Sequence, residues 1–345
     1  MLTGLVVGKF CPLHLGHERL IEFARARCDR LVILSYTNPE LGYPTGLRAR
    51  WLEARFPDAV RLVLDDEVLA EFAARTGAAL RRLPPNDAPD AVQRDFSAWA
   101  CHTMLGLVID RVFTSESYGD GFAAALTRYF CGHAGTTHIV EHWPYDPDRH
   151  LTPVSGSAIR DDPPGAQAFL SDDVRSSLVG RVGLVGGESS GKTVLARALA
   201  ERFGTLWVPE YGRELWEQRD GDLVLSDMLA IATEQIARED AATRAAGQWL
   251  FCDTTPLVTA FYSDAMFGET DPRVAVMAQR RYDHLLLCAP DFAFVQDGTR
   301  RDAEFRMRQH DWYRERLAEA GRPYALLTGS VEQRCDQVVR LLGGK

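Results

Sequence analysis

Short apolar runs alternate along this chain with longer stretches whose apolar residues recur at helical spacing. The runs are Leu5–Val7, Leu31–Ser35, Val60–Leu64, Val112–Thr114, Val182–Val185, Leu206–Val208, Leu250–Asp253, Leu285–Cys288 and Phe292–Val295. Runs this short, apolar at successive positions, predict strands buried on both faces. The stretches between them include His17–Cys28, Asp120–Tyr129, Thr193–Phe203, Ser226–Ala246 and Ala303–Ala320, and these predict helices. Strand–helix alternation implies α/β architecture, with parallel sheets covered by helices on both faces.

Breakers and length set the division. A chain of 345 residues is long for one core, so two domains are expected. The run Asp161-Asp162-Pro163-Pro164-Gly165 ends the first half, and a new strand begins near Arg181. The expected domains are therefore 1–165 and 178–345. A second proline-rich stretch, Leu83–Asp90, reads as a loop within the first. There is no internal repeat and no low-complexity tract.

Composition narrows the class. The net charge of −9 argues against general nucleic-acid binding, which needs a basic face for phosphates. The seven cysteines include no C-x-x-C pair, and the N-terminal apolar run is too short for a signal peptide. No stretch approaches the roughly 20 apolar residues of a membrane span. Together these predict a reduced, cytoplasmic protein. Association into a homo-oligomer is left open.

The first chemical constellation is Gly8-x-Phe10-x-Pro12-x-His14-x-Gly16-His17, placed between the first strand and the first helix. A helix start offers unpaired N–H groups and a favourable dipole to an anion. Gly16 allows close backbone approach to a phosphate. Two histidines can donate to phosphate oxygens and gain charge as a leaving group does. The segment resembles the signature of the nucleotidylyltransferase superfamily, which implies a Rossmann-like fold. That family carries a second motif near the domain end, and Val154-Ser155-Gly156-Ser157-Ala158-Ile159-Arg160 matches it. The resemblance implies His14, His17 and Arg160 as catalytic residues, with Gly8, Phe10, Gly16, Ser155 and Ser157 holding ATP. Val112-Phe113-Thr114-Ser115-Glu116-Ser117-Tyr118-Gly119 resembles a stretch near the adenosine site of NadR-type adenylyltransferases, which adds Ser115.

The second constellation is Gly186-Gly187-Glu188-Ser189-Ser190-Gly191-Lys192-Thr193, again between a strand and a helix. This is the context a P-loop requires. Loop amides cradle phosphates around Gly186 and Gly191, Lys192 reaches the β and γ phosphates, and Thr193 binds Mg²⁺. Asp253, ending another buried run, is the second candidate for the metal. Glu210, after Leu206–Val208, is a candidate base or ribose ligand, or equally a helix-start carboxylate. Arg300 and Arg301, with Arg306 and Arg308 beyond, suggest a lid over the triphosphate, set against the alternative of a solvated charged helix face.

In order and spacing, both motif sets resemble the bifunctional NadR family, which joins a nicotinamide-nucleotide adenylyltransferase to a P-loop ribosylnicotinamide kinase. The resemblance implies ATP, nicotinamide riboside, the mononucleotide (NMN) and NAD as partners, with Mg²⁺ as cofactor. By residue type, Trp99 and Tyr211 are the aromatic candidates for stacking on the nicotinamide ring, and Trp99 reads at least as well as a core residue. Some members carry an N-terminal helix-turn-helix domain. Here the first motif begins at Gly8, so no such domain and no DNA binding are expected. Two alternatives stand beside this one. One is a phosphopantetheine adenylyltransferase–dephospho-coenzyme A kinase fusion. The other is a nucleotide sensor with one or both sites inactive. Arg48 reads either as a phosphate contact or as a solvated arginine. His133, His138 and His142 read as structural or incidental, because a strand over Ile139–Glu141 keeps them from one metal.

Overall fold

Successive residues Leu5 and Val6 are both fully buried. Adjacent strand residues face opposite ways, so the first sheet is covered on both sides. The computed structural model describes residues 1–37, 39–134, 137–163, 165–296 and 301–343. It divides into two units, Met1–Arg175 and Ser176–Lys345. Each is built on a five-stranded sheet whose described pairings are all parallel.

The first unit contains β1 (Thr3–Gly8), β2 (Arg30–Tyr36), β3 (Val60–Leu64), β4 (Arg111–Thr114) and β5 (Glu141–Pro144), in the order β3-β2-β1-β4-β5. The chain winds outward from β1 to β3, then returns to the other side of β1 for β4 and β5. The reversal leaves a crevice at the carboxyl ends of β1 and β4, where ligands of such sheets bind. Gly8 ends β1 and Thr114 ends β4, so the first constellation opens onto that crevice. One face of the sheet presents Leu5, Val32, Leu34 and Val112 to Phe96, Leu126 and Phe130 of the covering helices. Each such buried side chain contributes about 1.5–3 kcal/mol.

The second unit contains β6 (Gly180–Gly186), β7 (Leu206–Val208), β8 (Trp249–Cys252), β9 (His284–Cys288) and β10 (Ala325–Leu327), in the order β10-β9-β6-β8-β7. Strand β9 shows the two-faced burial plainly. Leu286 and Cys288 join the cluster of Val182, Leu195, Leu199 and Val338. Leu285 and Leu287 join Val185, Phe261, Phe305 and Tyr313 on the other face.

Two strand expectations need correction. Phe292–Val295 is not a strand. The Phe292 ring packs against the Arg334 guanidinium, 4.3 Å away, and covers the bare face of Gly191. Its place at the sheet edge is taken by β10. The strand expected over Ile139–Glu141 begins only at Glu141, and Ile139 is 76% exposed. No helix among the described residues is long and apolar enough to cross a membrane.

Candidate functional site

In the first unit the chain leaves β1 at Gly8 and turns through Phe10, whose φ of 50° is left-handed. The Phe10 ring fills the space a Cβ at Gly8 would occupy, 2.8 Å from that position. His14 is the N-cap of the helix Leu15–Arg25, its Nδ1 accepting from the His17 N–H at 3.4 Å. Because Nδ1 accepts, the hydrogen of a neutral His14 sits on Nε2. The two imidazoles stack with centroids 3.6 Å apart, and the His17 ring edge meets Phe10 at 5.0 Å. A Cβ at Gly16 would come within 3.1 Å of the His14 ring. A side chain there would press on the stacked pair.

Electrostatics follow from this packing. Burial, reinforced by Arg149, holds His14 down to about 4. Burial, then His14, then Arg149 hold His17 well below the ordinary histidine range. Both rings are therefore neutral at pH 7 and ready to gain charge when an anion arrives.

The second motif packs onto the first. Arg160 Nη1 donates to the carbonyl of Cys11, and its Nη2 donates to Ser157 Oγ at 3.0 Å. Ser155 caps the helix Gly156–Asp161, its Oγ accepting from the Ala158 N–H at 3.1 Å. Gly8, Phe10, His14, Gly16, His17, Ser115, Ser155, Ser157 and Arg160 all line one cavity of about 1260 Å³, its open mouth included. Thr114, Glu116 and Tyr118, from the stretch that gave Ser115, line it too, as do Lys9, Asp146 and Arg149, which were not singled out by sequence. Arg149 is held by Glu116 at 2.6 Å. Its one sequence signal is a breaker-rich loop directly after β5.

Two arginine and tryptophan expectations change. Trp99 is absent from the cavity lining. It packs beside Phe96 and Phe72 under the Arg81 guanidinium, 5.0 Å from the ring. Arg48 is neither solvated nor in the cavity lining. It is 1% exposed, with bonds to Ser35 Oγ, Thr45 Oγ1 and the carbonyls of Tyr43 and Leu64. His138 bonds the Ile109 carbonyl, while His142 lies between Thr114 and Asp120.

In the second unit β6 feeds a loop whose glycines are required by geometry. Gly191 has φ +81°, and a Cβ at Gly187 would come within 2.7 Å of the Arg306 carbonyl. Lys192 Nζ donates to the carbonyls of Gly186 and Gly187, at 2.9 and 3.2 Å. Asp253 follows β8 and is 1% exposed. Burial and Glu210 push its carboxyl up to about 6, against the opposing pull of Lys192, Thr193 and Arg213. These causes place Asp253, Glu210, Lys192 and Thr193 in one electrostatic neighbourhood.

Asp253 Oδ1 is buried without a hydrogen-bond partner. An orphaned carboxylate oxygen beside the Thr193 hydroxyl fits a hard divalent cation. No group of three or more His, Cys, Asp or Glu side chains suited to a metal occurs among the described residues. A Mg²⁺ here would accordingly rely on few protein ligands, with phosphate oxygens and water completing its shell.

A cavity of about 880 Å³ adjoins the loop, lined by Glu188, Glu210, Arg213, Trp216, Tyr262 and Arg301 among others. Glu188 was missed by sequence. Its carboxylate accepts from Tyr262 Oη at 2.9 Å and from the Arg301 N–H at 2.7 Å. Tyr211 is absent from this lining, and its ring instead carries the Arg238 guanidinium at 4.4 Å. Trp216 and Tyr262 are the aromatic residues of the wall. Of the expected lid, Arg300 lies outside the described residues. Arg306 is buried and donates to the Phe292 carbonyl at 2.9 Å, while exposed Arg308 pairs with Glu304.

Residues 181–334 match the model of a family described as an AAA domain. The chain is 27% identical over 308 residues to the "Trifunctional NAD biosynthesis/regulator protein NadR" of Escherichia coli (strain K12), covering 86% of this chain and 71% of that one. The protein of the same name from Salmonella typhimurium is 28% identical, with the same coverage. In fold, a crystal structure of NadR protein in complex with NAD and AMP-PNP superposes with a TM-score of 0.66 and 21% identity, covering 100% of this chain and 97% of that one. One of NadR protein in complex with NR gives 0.68 and 22%, covering 99% and 96%. Along most of its length this chain is similar in sequence to the NadR proteins, and it shares their fold.

Proposed function

We propose that the chain makes NAD in two ATP-dependent steps, one in each unit. The second unit phosphorylates nicotinamide riboside to NMN. The first transfers an adenylyl group from ATP to NMN, releasing pyrophosphate. The observation that carries the adenylyl-transfer reading is the junction of Arg160 with the His14–His17 turn around one cavity at the sheet's reversal point.

In the first unit an NMN phosphate oxygen attacks the α-phosphorus of ATP, and the bond to the pyrophosphate oxygen breaks. No protein nucleophile is needed, because the phosphate already is one. The histidine pair, Arg160 and Arg149 face the leaving pyrophosphate and stabilise its growing charge. In the second unit the 5′-hydroxyl attacks the γ-phosphorus, the bond to the β–γ bridging oxygen breaks to release ADP, and Glu210 in the cavity wall accepts the hydroxyl proton. Lys192 exchanges its two loop carbonyls for the β and γ phosphates. Thr193 and Asp253 are the residues that would hold Mg²⁺, which neutralises phosphate charge. Trp216 and Tyr262 replace Tyr211 as the candidate platform for the nicotinamide ring.

Purified protein given ATP, Mg²⁺ and nicotinamide riboside should form NMN and then NAD. Phosphorylation of dephospho-coenzyme A in place of the riboside would instead support the coenzyme A fusion. ATP binding without turnover of either would support a sensor. Lys192→Ala should stop only the phosphorylation, and His17→Ala only the adenylyl transfer. Loss of both steps from either change would overturn the two-site reading.

A further inference from the structure

One histidine outside the phosphate turn, itself absent from the cavity lining, holds both ends of a loop that lines it. His142 sits on the edge strand β5, its side chain 11% exposed. Its Nε2 is 3.0 Å from Thr114 Oγ1, and its Nδ1 is 2.8 Å from Asp120 Oδ1. Between those partners run Ser115, Glu116, Ser117, Tyr118 and Gly119, and Thr114, Ser115, Glu116 and Tyr118 all face the nucleotide cavity. A Cβ at Gly119 would lie 1.9 Å from His142 Nε2, so glycine is what admits the imidazole.

Hydrogen counting makes this more than packing. The Thr114 hydroxyl has one hydrogen, and the Glu116 carbonyl, 3.1 Å away, can only accept it. When the hydrogen is spent there, His142 Nε2 has to donate to Thr114 Oγ1. Nδ1 faces a carboxylate and must donate as well. All three bonds coexist only when the ring is an imidazolium. A neutral ring keeps its hydrogen toward Asp120 and takes the Thr114 hydrogen at Nε2, which frees the Glu116 carbonyl and loosens the loop. The charged partner of this ring is Asp120, from the start of the following helix.

We propose that His142 is a positioning residue for nucleotide binding in the first unit, acting through Thr114 and the loop to Gly119. The substrate identity rests on the adenylyl-transfer reading above, whereas the clamp itself does not. His142→Ala should raise the KM for ATP in NAD formation about tenfold, with kcat within about twofold and riboside phosphorylation unchanged. Asp120→Asn should act in the same direction, and the double variant should be less than additive. An unchanged KM or full additivity would overturn the proposal. His142→Gln keeps volume and one donor but cannot serve both partners, and carries the same KM and additivity tests if the alanine variant does not fold. A wild-type chain that forms no NAD from NMN sinks the adenylyl-transfer reading alone. The clamp is then read from ATP affinity, by calorimetry on Lys192→Ala chains with and without His142→Ala.

Discussion

The Arg160 guanidinium donates to the carbonyl of Cys11, which lies 149 positions earlier in the chain. This bond brings the end of the first unit onto the turn that holds His14 and His17. Arg160 thereby faces the same cavity as the two imidazoles.

Arg160→Ala should lower the kcat of NAD formation from NMN by about 10²–10³, the usual cost of removing one donor aimed at developing charge. Phosphorylation of the riboside, measured on the same preparation, should be unchanged. A parallel fall in both would show that the substitution had damaged the fold.

Nucleotide binding in the first unit should take up protons. His14 is held down to about 4, and His17 lies well below its ordinary range, so both are neutral in the free protein near pH 6.5. A bound polyphosphate raises both. Calorimetric titration with pyrophosphate, in buffers of different ionisation enthalpy, should report proton uptake. The His14→Asn, His17→Asn double variant should reduce it, and equal uptake in both proteins would contradict the assignment.

Asp253 makes the second unit sensitive to alkali. Its carboxyl is pushed up from 3.8 to about 6, so the folded state favours the protonated form. The resulting stability is present in full below the ordinary carboxyl range and is lost as pH rises through about 6. Asp253→Asn should therefore stabilise the ligand-free protein at pH 8, by up to about 3 kcal/mol for a shift of this size. Thermal melts at pH 4.5 and 8 measure the difference. Mg²⁺–ATP should stabilise the wild type more than the variant, because a cation removes the reason for the raised value.

Trp216→Ala should raise the KM for nicotinamide riboside about tenfold or more, since an aromatic wall contributes area and ring contacts. Tyr211→Leu should leave that KM nearly unchanged, because the Tyr211 ring is occupied by Arg238. The reverse ranking in steady-state riboside kinetics would restore Tyr211 as the platform.

Legibility differed between the sites for physical reasons. The P-loop and the Gly8–His17 turn are local: strand, glycine-rich turn and helix follow each other in sequence, so spacing alone locates them. Arg149 and Glu188 were missed because a loop arginine and a loop carboxylate have no periodicity to betray them. Each is a site residue only because a strand end or a helix from elsewhere delivers its neighbours. Trp99 and Tyr211 were reasonable by residue type, but their rings pack beneath Arg81 and Arg238. Phe292–Val295 reads as a strand because apolar runs look alike, whether they enter a sheet or cover a glycine loop.

The sequence by itself determined the alternation that makes two parallel sheets and the two phosphate turns, because helix starts, glycine conformations and residue spacing are local properties. Only the tertiary structure decided which distant residues share a cavity with those turns, which aromatic rings face it, and which histidines and carboxylates are held away from their ordinary protonation. Those outcomes depend on burial and on charges brought together from far along the chain, and no local pattern encodes either.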